Sequence, residues 1–313
     1  MAVYTPVTPE EAQQLLDTLA LGTLTQIEPC KGGIENTNYF IDSTEGRFVL
    51  TVFERLSFLQ LPFFLTLMQH LAKQGLPVPG PRASADGQIL FAHRGKPCAL
   101  VARLEGASQL DPQPVHCQAL GTLLAQLHIA ATDAPILQPH LRGHNWWQEA
   151  APQVMPHLPP EQAALLQDEL DVQADLWRSP LAQLWPRGPV HNDLFRDNAM
   201  FVGDTISGVF DFYFAGVEAW LFDLCVCLND WCIDRATGEL QPEKAQALQS
   251  AYEAVRPLTP SERAAMPRML RAAALRFWLS RLADWHAPRE AHVLQPHDPG
   301  HFERVLRARR EGR

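Results

Sequence analysis

What this chain has little of narrows its function first. Basic residues are outnumbered: 26 Lys and Arg face 35 Asp and Glu, for a formal charge of −9. Nucleic acid and anionic membrane surfaces both favour a basic partner, so neither is expected. Long apolar runs are missing; those present are short or broken by charge, and no membrane span is expected. Met1-Ala2-Val3-Tyr4-Thr5-Pro6 has no basic region followed by an apolar run, so no secretory signal is visible and a cytoplasmic protein is expected. The paired Cys-x-x-Cys spacing of a zinc site is absent as well. The six cysteines (Cys30, Cys98, Cys117, Cys225, Cys227 and Cys232) sit mostly in apolar segments and read as reduced, buried thiols. There is no fixed-period repeat and no low-complexity linker. A Walker phosphate loop is excluded too, because Gly95-Lys96 is followed by Pro97 and Leu90 stands where the first Gly belongs.

What is there is ordinary globular material: 313 residues, 46% hydrophobic and 19% charged, enough for one large or two medium domains. Thr8-Pro9-Glu10-Glu11 predicts a helix start with a capping box, running to about Leu21. Strands are expected over Thr23–Glu28, Asn38–Asp42 and Arg47–Glu54, with a hairpin turn at Ser43-Thr44-Glu45-Gly46. A helix over Leu61–Gln74 and two strands, Gln88–His93 and Lys96–Leu104, complete a strand-rich region. Beyond Arg103-Leu104-Glu105-Gly106 helices dominate: His116–Ala130, Glu161–Trp177, Leu221–Asp234, Glu243–Val255 and Ser261–His286. Short strands are expected at Pro189–Asn192, Ala199–Val202 and Ile206–Phe210. The expected division is therefore 1–104 and 105–313.

The chemistry gathers in His191-Asn192-Asp193-Leu194-Phe195-Arg196-Asp197-Asn198 and in Asp211, which ends an apolar run. Phosphoryl transfer to a hydroxyl needs a carboxylate to take the acceptor's proton, and oxygen donors for the Mg²⁺ that bridges ATP phosphates. Asp193 suits the first role; Asn198 and Asp211 suit the second. Turn-capping is the plainer use of an Asp or Asn in a loop, but the ordered set favours catalysis. His191 reads as a brace for the loop, and Asp223 as a helix cap or loop tie. The loop containing Gly32 and Gly33, running on through Asn36, Thr37 and Asn38, lets backbone N–H groups approach phosphate oxygens. Arg276 and Arg281 lie inside an apolar helix, where a guanidinium needs an acid or a ligand; Arg281 could hold a substrate carboxylate, with Asp230 the competing partner. His286, His292, His297 and His301 read as a polar tail rather than a metal cluster.

His191-x-Asp193-x-x-x-x-Asn198 with Asp211 resembles the aminoglycoside phosphotransferase and choline kinase superfamily. Leu228-Asn229-Asp230-Trp231-Cys232 and Arg276-Phe277-Trp278-Leu279-Ser280-Arg281 are similar to the type II homoserine kinases within it, as are Glu35-Asn36-Thr37-Asn38 and Gly75-Leu76-Pro77-Val78-Pro79. The resemblance covers nearly the whole chain. It implies an α+β, protein-kinase-like two-lobed fold, with a strand-rich N-lobe covering the nucleotide and a mainly helical C-lobe holding the acceptor. It implies ATP and Mg²⁺ as cofactors, L-homoserine as acceptor, adenine against Val101-Ala102-Arg103, Asp193 as base, and Asn198 and Asp211 as metal ligands. Another hydroxylated acceptor (choline, an aminoglycoside or a sugar) and a nucleotide-binding pseudokinase stay open. Thr51 stands where many relatives carry a phosphate-contacting Lys, and Leu61–Gln74 has no Glu to pair with one. Lys31 and Arg55 are the basic residues nearest that role.

Overall fold

Thr8 opens the first helix in the computed structural model, which describes residues 4–30, 36–286 and 297–313. In α1 (Pro9–Thr18) the Thr8 hydroxyl accepts from the Glu11 N–H, and the Glu11 carboxylate accepts from the Thr8 N–H. This box satisfies two donors that a helix start leaves orphaned. The helix stops short of Leu21 because Ala20 turns left-handed, at φ 53°.

Strands β1 (Leu24–Pro29), β2 (Thr37–Ser43), β3 (Gly46–Val52), β4 (Phe91–His93) and β5 (Lys96–Ala102) form one antiparallel sheet, ordered β1-β2-β3-β5-β4. The hairpin closes with Ser43 opposite Gly46. Alternation sorts the side chains: Tyr39, Ile41, Phe48, Leu50, Val52, Cys98 and Leu100 pack with Ala12 and Leu16 of α1. Asn38, Thr51 and Ala99, register neighbours on three adjacent strands, fall on the opposite face. α2 (Leu61–Lys73) buries Phe63, Phe64, Leu67 and Met68.

Contacts divide the chain into two compact units. One holds Met1–Gly106 with Ala134–Ile136 and Ser207–Phe210; the other holds Ala107–Asp133, Leu137–Ile206 and Asp211–Arg313. After β5 come α3 (Pro114–Ala130), α4 (His144–Val154), α5 (Pro160–Arg178), β6 (Arg187–Val190), β7 (Ala199–Val202), β8 (Thr205–Val209), β9 (Gly216–Ala219), α6 (Trp220–Trp231), α7 (Pro242–Val255), α8 (Pro260–His286) and α9 (Gly300–Arg310). α3 and α7 approach closely at Gly121, where a Cβ would lie 2.1 Å from the Leu248 carbonyl oxygen. α6 is buried along most of its length and α8 continuously from Ala272 to Leu279, and α8 continues through Pro267.

The expected polar tail is wrong over Gly300–Arg310. Phe302, Val305, Leu306 and Arg309 recur at helical spacing and are buried, so this segment is a packed amphipathic helix. His292 lies outside the described residues. Among the described residues no group of three His, Cys, Asp or Glu side chains could hold a metal, and no helix is long and apolar enough to cross a membrane. The six thiols are free, and all but Cys30 are buried.

Candidate active site

The loop leaving β6 is held by its backbone. Asn192 adopts φ 62°, a left-handed conformation that Asn tolerates better than most residues. The N–H groups of His191 and Asn192 both donate to the Asp223 carboxylate, at 3.2 and 2.7 Å. Asp223 is fully buried on α6, and His128 Nε2 meets its Oδ2, the oxygen that also accepts from His191, at 3.0 Å. His128 Nδ1 in turn meets the Tyr252 hydroxyl at 2.8 Å, and Arg256, paired with Glu262, donates to that same hydroxyl at 3.4 Å. A consistent assignment has Arg256 donating to Tyr252, Tyr252 to His128 and His128 to Asp223, so the carboxylate accepts from this chain on one hand and from the two loop amides on the other. Burial pushes the Asp223 carboxyl up; the His128 bond and charge, the His191 charge and the Asn192 N–H outweigh it and hold the group below its usual range. Asp223 therefore ties the loop. The His191 ring packs 4.4 Å from that of Phe212, as a brace would.

Asp193 follows with its side chain 15% exposed. Burial raises its carboxyl well above the usual range; Arg276 opposes that, while Asp211, Asp197 and Asp230 add to it. An ionised carboxylate with raised proton affinity is a stronger base. Asn198 closes the loop: its Nδ2 donates to the Asp193 carbonyl at 2.8 Å, which leaves Oδ1 as the amide's acceptor for another group. Asp211 stands at φ 65°, ψ 55°, and its charge bears directly on Asp193. The loop is packed from behind, where Trp231 Nε1 donates to the Leu194 carbonyl at 2.9 Å and Phe195 stacks against Phe277 and Phe302.

Asp230 is not the partner of Arg281. It accepts from the Arg196 N–H and Nε at 2.8 and 3.1 Å, fixing the middle of the loop. Arg281 instead donates to the Asp298 carbonyl at 3.2 Å, with its cation 4.5 Å over the Phe302 ring. Arg276 is the arginine beside the carboxylate, with Nη1 3.9 Å from Asp193 Oδ1. The Asp223–His128–Tyr252 chain and the place of Arg276 escape a sequence reading. A lone His closing the apolar run of α3 is the only local sign of the first.

In the other unit, Thr37 is fully buried, and its hydroxyl accepts from the Tyr4 and Thr5 N–H groups while donating to Glu54 at 2.6 Å. Lys96 pairs with the same Glu54 and donates to Thr5 at 2.9 Å. The Asn36 Oδ1 accepts from the Glu54 N–H at 3.4 Å. Thr51 donates to Asn38 Oδ1 at 2.7 Å. Val101 pairs with Val49, and the Arg103 guanidinium lies 3.8 Å from the Phe40 ring centroid. Gly32, Gly33 and Lys31 lie outside the described residues.

Residues 26–258 match the phosphotransferase enzyme family. A homoserine kinase of Polaromonas naphthalenivorans is 53% identical over 309 residues, covering 99% of this chain and 98% of the relative. The chain belongs to this family, among its homoserine kinases. A second member, from Janthinobacterium sp., is 53% identical over 311 residues, covering 99% and 97%. Among solved structures, an amicoumacin kinase in complex with AMP-PNP and Ca²⁺ matches with a TM-score of 0.70 over 97% of this chain and 93% of its own, at 18% identity. That likeness is one of fold: the family's α+β, kinase-like architecture, strand-rich in one unit and helical in the other.

Proposed function

We infer that the protein is an ATP-dependent small-molecule kinase, which phosphorylates the hydroxyl of L-homoserine to O-phospho-L-homoserine and releases ADP, a step toward threonine in the cytoplasm. Asp193 accepts the hydroxyl proton as the oxygen attacks the γ-phosphorus. Asn198 Oδ1 and the Asp211 carboxylate are hard oxygen donors, the kind Mg²⁺ takes alongside phosphate and water oxygens. When bound, Mg²⁺ supplies neutralisation of the phosphate charge. Two protein donors are enough for this ion, so the absence of a larger acidic cluster among the described residues is no obstacle. Residues 1–104 cover the nucleotide: the Gly32-Gly33 loop with Asn36, Thr37 and Asn38 over the phosphates, and Val101 and Arg103 beside the adenine. Residues 105–313 carry the catalytic loop and the acceptor site, where Arg281 adds positive charge.

The observation carrying this reading is the 53% identity to homoserine kinases across nearly the full length. A coupled ADP-release assay across L-homoserine, other amino-acid alcohols, choline and an aminoglycoside tests it. L-homoserine should exceed every other acceptor in kcat/KM by at least about tenfold. Tight Mg-ATP binding without turnover of any acceptor would overturn it in favour of a pseudokinase.

A further inference from the structure

Arg276 sits on α8 with its side chain 3% exposed. Its planar group lies over the Phe277 ring at 3.8 Å and faces the Phe214 ring at 5.1 Å. Nη1 is the atom near Asp193. Nε and Nη2 are buried and have no hydrogen-bond partner among the described residues. Those two N–H groups share one edge of the guanidinium, the side-on fork that fits a carboxylate in bidentate fashion. A buried cation with that edge empty is costly to a fold that has no use for it. Charge points the same way. Arg142 and Arg281 add to the positive field around this cation, with Asp193 and Asp284 opposing them.

We propose that Arg276 recognises the carboxylate of the acceptor, taking it side-on through Nε and Nη2. The inference rests on the kinase reading above and adds how an amino-acid alcohol is told from a plain amino alcohol. Nη1 stays beside Asp193, so one side chain fixes the acceptor's carboxylate close to the base that takes its hydroxyl proton. A short acceptor is required, because the two anchoring points are adjacent. The aromatic rings hold the guanidinium plane in place before the acceptor arrives, which reduces the ordering cost of binding. Asp193 is the more exposed of the two side chains, at 15% against 3%.

The test compares L-homoserine with 3-amino-1-propanol, the same molecule without its carboxylate, in the wild type and in Arg276→Lys. The variant keeps the charge and loses the fork. It should lower kcat/KM for L-homoserine by about 100-fold and that for the amino alcohol far less, so the preference for L-homoserine falls by at least about tenfold, while the KM for ATP changes by less than about threefold. Equal losses on both acceptors overturn the inference and leave Arg276 as a prop for Asp193. A wild type that turns over neither acceptor overturns the kinase reading instead. A crystal structure of the wild type with L-homoserine decides the matter if the variant does not fold. The carboxylate should lie within hydrogen-bonding distance of Nε and Nη2, and a carboxylate bound elsewhere overturns the proposal.

Discussion

Asp193 and Asp211 carry like charge into one small region, and each is set there by backbone as much as by side chain. Asp211 holds a left-handed conformation that most non-glycine residues avoid, at φ 65°. Such a residue persists only when its surroundings over-determine it, and these positions cluster at functional sites. The buried Arg276 offsets part of the repulsion at Asp193, and a divalent cation would offset more. Asp211→Ala should therefore weaken Mg²⁺-dependent nucleotide binding on the order of a hundredfold, read by titrating ATP at fixed and varied Mg²⁺. Nucleotide affinity with unchanged Mg²⁺ dependence would remove Asp211 from the metal site.

At the scale of elements, the loop is a product of helices distant in sequence. α6 supplies Asp223, α3 supplies His128 and α7 supplies Tyr252, and the Gly121 contact lets α3 and α7 come close enough for the last two to bond. The Asp223 carboxyl is held below its usual range, so the sign of its pH effect is fixed. Its contribution to stability is full above the unfolded value of about 3.9 and is lost as pH falls through the lower folded value. Asp223→Asn should cost about 3 kcal/mol in denaturant unfolding at neutral pH and should flatten the acid side of the stability profile. An unchanged profile would mean that the loop is held by other contacts. Local signals made much of this architecture readable beforehand. The Thr8–Glu11 box, the Ser43–Gly46 hairpin and the alternation of β2 and β3 act over a few residues, and the structure has them where the sequence suggests. α9 was hidden because its arginines outweigh the Phe302-Val305-Leu306 stripe. β9 was missed because its four residues gain strand character only by pairing with β6, far back in the chain. The Asp223–His128 bond joins positions 95 residues apart, and no local pattern encodes it.

Across the whole molecule, the proposed function assigns the two units different tasks. In the unit built on the five-stranded sheet, Thr51 and Asn38 form a hydrogen-bonded pair across β2 and β3. The helical unit carries Asp193, Asn198 and Asp211, the proposed base and metal ligands, on one braced loop and its neighbour. The acidic balance of the chain is compatible with a phosphorylated cofactor, because local donors and a metal ion, rather than the net charge, set the field that phosphates meet. Everything in the functional account depends on Asp193 acting as the base. Its most direct test is the steady-state rate of ADP release with saturating Mg-ATP and L-homoserine, for wild type and Asp193→Asn, alongside ATP affinity for both. The expected result is a fall in kcat of about 10²–10⁴ with ATP affinity nearly unchanged; a variant that turns over L-homoserine at the wild-type rate would contradict the account.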